Sequence, residues 1–107
     1  MKSLRAASRR PTHPGAVLRD DVLPVLKMTQ TEFAALLDVS RVSVSELLHE
    51  KRSLTPAMAT RIAALLNTTP ESWLLMQQAV DLWEVRQGCP VPDRVKPLPR
   101  SRLAALL

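Results

Sequence analysis

"QTEFAALLDVSRVSVSELLHEKR" (residues 30–52) contains two helix-like apolar patterns joined by almost nothing. Phe33, Ala34 and Leu37 fall on one face of the first. Val44, Leu47 and Leu48 repeat at i, i+3 and i+4 on one face of the second, with Val39 in the turn between. Two helices joined by about three residues must cross steeply, and such a crossing needs a small residue at closest approach. Ala34 is placed to be that residue. This is the pattern of a helix-turn-helix.

The geometry leaves the opposite face of the second helix outside, with Arg41, Val42, Ser43 and Ser45 early on it and His49 after them. In a helix-turn-helix these first turns enter the major groove and meet base edges. Arg41 suits bidentate donation to guanine and Val42 contact with a thymine methyl, while Ser43 and Ser45 are short donor-acceptors. Gln30 and Ser40, at the starts of the two helices, and His49, Lys51 and Arg52, at and beyond the end of the second, suit phosphate. A hairpin with no DNA role would show some of the same apolar spacing. The coincidence of small residue, capped tight turn, polar first turn and basic residues behind it favours groove binding.

Composition agrees with a helical protein. The chain has 107 residues, so one domain with tails is expected. Only two glycines are present, and Ala, Leu, Arg, Glu and Gln are frequent. No apolar run approaches a membrane span. The start, "MKSLRAASRRPTHPG", is basic but lacks the apolar segment of a secretory signal. Cys89 is alone, which excludes an internal disulfide framework. A soluble, cytoplasmic protein is expected.

The net charge of +5 sits at the ends. Residues 1–10 carry Lys2, Arg5, Arg9 and Arg10 without an acid. Residues 87–107 carry Arg94, Lys96, Arg100 and Arg102 against Asp93. The middle, 11–86, has seven basic and nine acidic residues. DNA binding therefore rests on local placement, not on bulk charge.

Three regions follow: a disordered basic arm (1–12), a helical domain (13–86) and a Pro-rich tail (87–107), in which four prolines over 88–100 forbid helix. "SRLAALL" at the end has the makings of one or two helical turns. The domain reads as five helices. The first starts at "HPGAVLRDDVL", with Val17, Leu18, Val22 and Leu23 inward, and Pro24 ends or kinks it. Thr29, with Glu32 three residues on, caps the second and Ser40 the third. The fourth follows Thr55-Pro56 and the fifth Thr69-Pro70-Glu71. "AALL" recurs at 34–37 and 63–66, each time with Asp38 or Asn67 behind it to close the helix in a left-handed turn.

On the fifth helix Trp73 reads as core, while Val80 and Trp83 are candidates for a dimer interface, since two-fold dimers read paired half-sites. Asp20-Asp21 reads as a solvated face. His13 and His49 are too isolated for a metal site, no cofactor motif is present, and no catalytic set can be assembled. An enzyme is not expected.

Residues 30–48 resemble the helix-turn-helix of the Cro/C1 (Xre, lambda-repressor-like) regulators. His13-Pro14-Gly15 with Leu18, Lys51-Arg52, and Pro70-Glu71-Ser72-Trp73-Leu74, in that order, extend the resemblance to the HigA family of antitoxins. It covers about 70 residues of the chain, judged by motif order. Asp38 and Glu50 stand where such proteins often have glycine. The resemblance implies an all-α, five-helix domain and a transcriptional repressor that binds double-stranded operator DNA as a homodimer. It also implies an antitoxin function, in which the protein neutralises a RelE-like (HigB-type) ribonuclease toxin and represses their shared operon. The alternatives are a stand-alone Xre-type repressor and a helical adaptor that binds only protein.

Overall fold

The structure, a computed structural model, describes residues 9–88 and 91–107. Most of the basic arm (1–8) and the lone Cys89 lie outside the described residues.

The chain enters its first helix through His13, which is extended (φ −67°, ψ 138°) and whose Nδ1 accepts the Gly15 N–H at 2.9 Å. Pro14 follows in the first turn, where no N–H is needed. Pro24 does not end this helix, one of the two outcomes expected from the sequence; the local distortion there is a π turn just before it. Pro14–Val17, Leu18–Val22 and Leu23–Leu26 run on as one helix, α1. Its middle five residues are wound as a π turn, in which the Leu23 N–H reaches back to the Leu18 carbonyl. The shifted register puts Pro24 in the first turn of the next regular segment, where its missing N–H costs least.

Four more helices follow: α2 (Gln30–Leu37), α3 (Arg41–Leu48), α4 (Pro56–Leu66) and α5 (Pro70–Gln87). Each opens on a hydroxyl that accepts the N–H three residues on: Thr29 from Glu32, Ser40 from Ser43, Thr55 from Met58 and Thr69 from Ser72. Such a cap is worth about 1 kcal/mol. The count rises from five helices to six, because Arg100–Leu103 forms a short α6, continued by a tighter turn over Ala104–Leu106. Nothing after Pro99 interrupts a helix there, and the described residues of the tail are all exposed.

Helix ends show what the glycine-poor composition demands. Lys27, Asp38, Glu50 and Asn67 all have positive φ, between 53° and 61°. After each, the next N–H reaches back five residues: Met28 to Leu23 (3.0 Å), Val39 to Ala34 (3.1 Å), Lys51 to Glu46 (2.8 Å) and Thr68 to Ala63 (3.0 Å). These are Schellman closures made without glycine. Asp and Asn tolerate the conformation; Lys27 and Glu50 adopt it against a cost of roughly 1–2 kcal/mol.

The helices surround one core, to which α1 gives Leu18, α2 Phe33 and Leu37, α3 Val44 and Leu47, and α4 Ile62, with Trp73 of α5 closing it. Ala34 is 3 % exposed, as its place at the α2–α3 crossing requires. Gly15 marks a closer approach. A Cβ there would lie 1.9 Å from the Leu47 carbonyl oxygen, so α1 rests on α3 backbone to backbone. Three polar side chains then tie the helix ends. Arg19 Nη1 donates to the Leu48 carbonyl (2.9 Å), Arg61 Nη1 to the Leu37 carbonyl (2.8 Å), and Gln77 Oε1 accepts the Leu54 N–H (2.8 Å). The first two hold the α2–α3 hairpin from α1 and α4, and the third fixes the connection that follows it.

Val80, a dimer candidate on sequence, is 1 % exposed and taken up inside the monomer. The spacing of apolar residues on α5 could not show which of its faces the other helices cover. Trp83 is half-buried, and its Nε1 is buried without a partner.

His13 gives the fold a pH limit. Burial pushes the ring below its ordinary value, the attraction of Glu50 opposing, and the bond from Gly15 requires Nδ1 to be unprotonated. Unfolded chains then bind the proton more readily than the native state, so stability is lost as pH falls from about 6.5 through the folded value. We expect Tm to decline along that limb. His13→Asn keeps a capping acceptor and flattens it; equal slopes in both proteins would exclude His13 as the cause.

Candidate nucleic-acid interface

α3 is built to show one face. Val44, Leu47 and Leu48 are buried, which turns Val42, Ser45, Glu46 and His49 outward at i, i+3, i+4 and i+7. Val42 is 67 % exposed, an apolar side chain left uncovered by the described residues. Arg41 is exposed at the first position, and among the described residues it makes no ion pair. Among the described residues the fold makes no use of the Arg41 and Val42 side chains. They are free to meet a ligand.

The first turn is pre-ordered. Ser40 Oγ accepts the Ser43 N–H at 3.1 Å and donates to Ser43 Oγ at 2.8 Å. That leaves the Ser43 hydroxyl hydrogen available. At the other end, His49 Nδ1 lies 2.7 Å from the Ser45 carbonyl. A carbonyl only accepts, so Nδ1 carries the hydrogen and Nε2 is left to face solvent. Gln30 is half-buried at the start of α2, and Lys51 is exposed just past α3. The structure therefore gathers Arg41, Val42, Ser43, Ser45 and His49 on one helix, with Gln30, Ser40, Lys51 and Arg52 at the helix ends around it.

Two acids near this surface behave differently from the sequence expectation. Glu50 follows α3 directly, where a free carboxylate would repel phosphate. Its carboxylate instead turns away to Arg10 (2.7 Å) and Arg19 (3.3 Å), with Arg10 further held by Glu84 (3.1 Å). The hydrogen bond from Arg10 above all, then that from Arg19, holds the Glu50 carboxyl below the usual carboxylate range despite partial burial. The left-handed turn at Glu50 makes this possible and also accounts for the glycine often found there. The root of the basic arm is thereby pinned to the loop behind α3.

Glu46 is the residue that sequence reasoning missed. It stands in the middle of the outward stripe, and its Oε1 accepts from Arg52 Nη2 at 2.8 Å. Its helical position relative to Val42 and His49 was legible. The expectation of basic and neutral groups against a polyanion passed it over.

The comparisons with known proteins follow the same surface. A Helix-turn-helix family model (HTH_3) matches residues 26–74, which span α2 to the start of α5. The chain is 46 % identical over 85 residues to the HTH-type transcriptional regulator YbaQ of Escherichia coli (strain K12), covering 79 % of this chain and 75 % of that one. It is 39 % identical over 83 residues to antitoxin HigA-1 of Vibrio cholerae, covering 78 % of each. Among solved structures, antitoxin GraA in complex with its operator superposes with a TM-score of 0.76 at 33 % identity, over 85 % of this chain and 94 % of that one.

Proposed function

The chain belongs to the HigA family of Xre-type (Cro/C1) helix-turn-helix regulators, and from that premise we propose that it represses its own operon and neutralises a RelE-like (HigB-type) toxin. It is a DNA-binding regulator, not an enzyme. The observation that carries the repressor reading is the outward face of α3, which is ordered, polar at its first turn and unused by the fold. Arg41, Val42, Ser43 and Ser45 are its base readers. Gln30, Ser40, His49 and Lys51 hold the phosphates on either side. One such helix reads only a few base pairs, so the protein acts in the cytoplasm as a homodimer on paired half-sites. Trp83, half-covered on α5, is the residue that a second copy would complete. The toxin partner is supported by the likeness to HigA-1, a named antitoxin.

Fluorescence anisotropy tests the DNA reading, with the duplex upstream of the gene beside a scrambled one. Binding to the native duplex should be tight and should weaken steeply as salt rises, since each phosphate contact releases counterions. Equal, weak binding to both would remove the repressor reading. A second reading, a repressor without a toxin, is supported by the likeness to YbaQ, named only as an uncharacterized HTH-type transcriptional regulator. Co-expression with the product of the neighbouring gene separates the two: growth arrest relieved by this chain supports the antitoxin, and a harmless neighbour supports the stand-alone regulator.

A further inference from the structure

Glu46 and Arg52 pose a problem that neither the fold nor phosphate binding explains. Both side chains are exposed, at 41 % and 44 %, so their ion pair adds little stability. α3 is closed without them, by Arg19 on the Leu48 carbonyl and by the Lys51 N–H on the Glu46 carbonyl. A carboxylate in the middle of a face that approaches DNA is repelled by every phosphate. It belongs there only if something neutralises it and something rewards it.

Arg52 supplies the neutralisation, and the geometry leaves both partners with groups to spare. The contact is single, Nη2 to Oε1 at 2.8 Å. Glu46 Oε2 remains an acceptor, and the other guanidinium N–H groups remain donors. The pair therefore presents donors beside an acceptor. In the major groove a G·C pair shows guanine N7 and O6, both acceptors, followed by the cytosine N4 amino donor. The two patterns are complementary. An A·T pair places a donor between two acceptors and offers no adjacent pair of acceptors to the guanidinium.

We infer that Glu46 and Arg52 act as one unit that reads a G·C base pair in each half-site, Arg52 donating to guanine and Glu46 accepting from the cytosine amino group. This rests on the DNA-binding reading above and reassigns Arg52, which the sequence alone had placed against phosphate. It makes the acid on α3 a specificity determinant whose loss widens the range of sites bound.

A panel of native-operator duplexes, each with one base pair of both half-sites changed, tests it by anisotropy beside a scrambled duplex. Wild type should lose about 10-fold or more in affinity when one particular G·C pair is changed. In Glu46→Ala and in Arg52→Ala that penalty should disappear at the same position, with the other positions keeping theirs, and the double variant should add nothing further. Glu46→Gln should move the preference there toward A·T, because glutamine pairs with adenine. Thermal melts should match wild type, both residues being exposed. Stronger binding of Glu46→Ala to native and scrambled duplex alike would make Glu46 a repulsive charge and overturn the inference, as would relaxation at two different positions. Failure of wild type to tell native from scrambled DNA would instead remove the repressor reading beneath it.

Discussion

Replacing Gly15 with alanine is expected to destabilise the domain by about 3 kcal/mol, at the upper end of what overpacking costs. Two effects oppose each other here. Alanine in a helix gains up to about 1 kcal/mol over glycine. The added Cβ, however, would stand 1.9 Å from the Leu47 carbonyl oxygen and 2.9 Å from its carbon. Both are backbone atoms in the last turn of α3, so no side-chain rotation relieves the contact. α1 must lift, drawing Leu18 from the core and Arg19 from the Leu48 carbonyl. The clash outweighs the propensity. At about 4–8 °C per kcal/mol for a domain of this size, Tm should fall by roughly 12–24 °C. A variant melting within 2 or 3 °C of wild type (well below that estimate) would show that α1 does not lie this close to α3. Because α1 braces the back of α3, operator affinity should fall before the domain unfolds, and low temperature should restore it.

What was readable in advance divides by the range of the interactions. Caps act over three residues, so Thr29 and Ser40 are visible as caps in the sequence, and both hold an N–H as expected; Thr55 and Thr69, which mark the starts of the next two helices, do the same. The α2–α3 crossing is nearly as local, and Ala34 follows from it. Asp38 and Asn67 could be identified as closures because their side chains tolerate positive φ. Lys27 and Glu50 could not, since nothing in a lysine or glutamate marks a left-handed turn. That Pro24 distorts α1 without ending it is not legible in the sequence, because a π turn depends on how α1 lies to bury Leu18 and Leu23 together. Val80 and Trp83 sit three residues apart on one helix. Only the packed structure shows that the first is covered and the second half open. The His13 cap and the Gly15 contact are hidden in the "HPG" element for one reason: the contact depends on where α3 lies, which local sequence does not show.

Arg41→Ala should abolish operator recognition while leaving the protein folded. Arg41 is exposed at the first turn of α3, so no core contact is lost. A bidentate guanine contact is worth about 1–3 kcal/mol of discrimination, and a dimer on two half-sites makes it twice. The mid-range sum, about 4 kcal/mol, is close to 1,000-fold in affinity for the native duplex. Binding to a scrambled duplex should weaken much less, because it depends on phosphates and not on bases. Lys51→Ala gives the opposite signature. It lies beyond the reading face, so native and scrambled duplexes should weaken together, and the salt slope should shrink by roughly one unit per half-site. The two variants thus separate the reading of bases from the holding of the backbone. Should Arg41→Ala weaken both duplexes equally and flatten the salt dependence, Arg41 is a phosphate anchor. The burden of recognition then passes to the middle of α3, where Val42, Ser45 and the Glu46–Arg52 pair remain the groups able to tell one base pair from another.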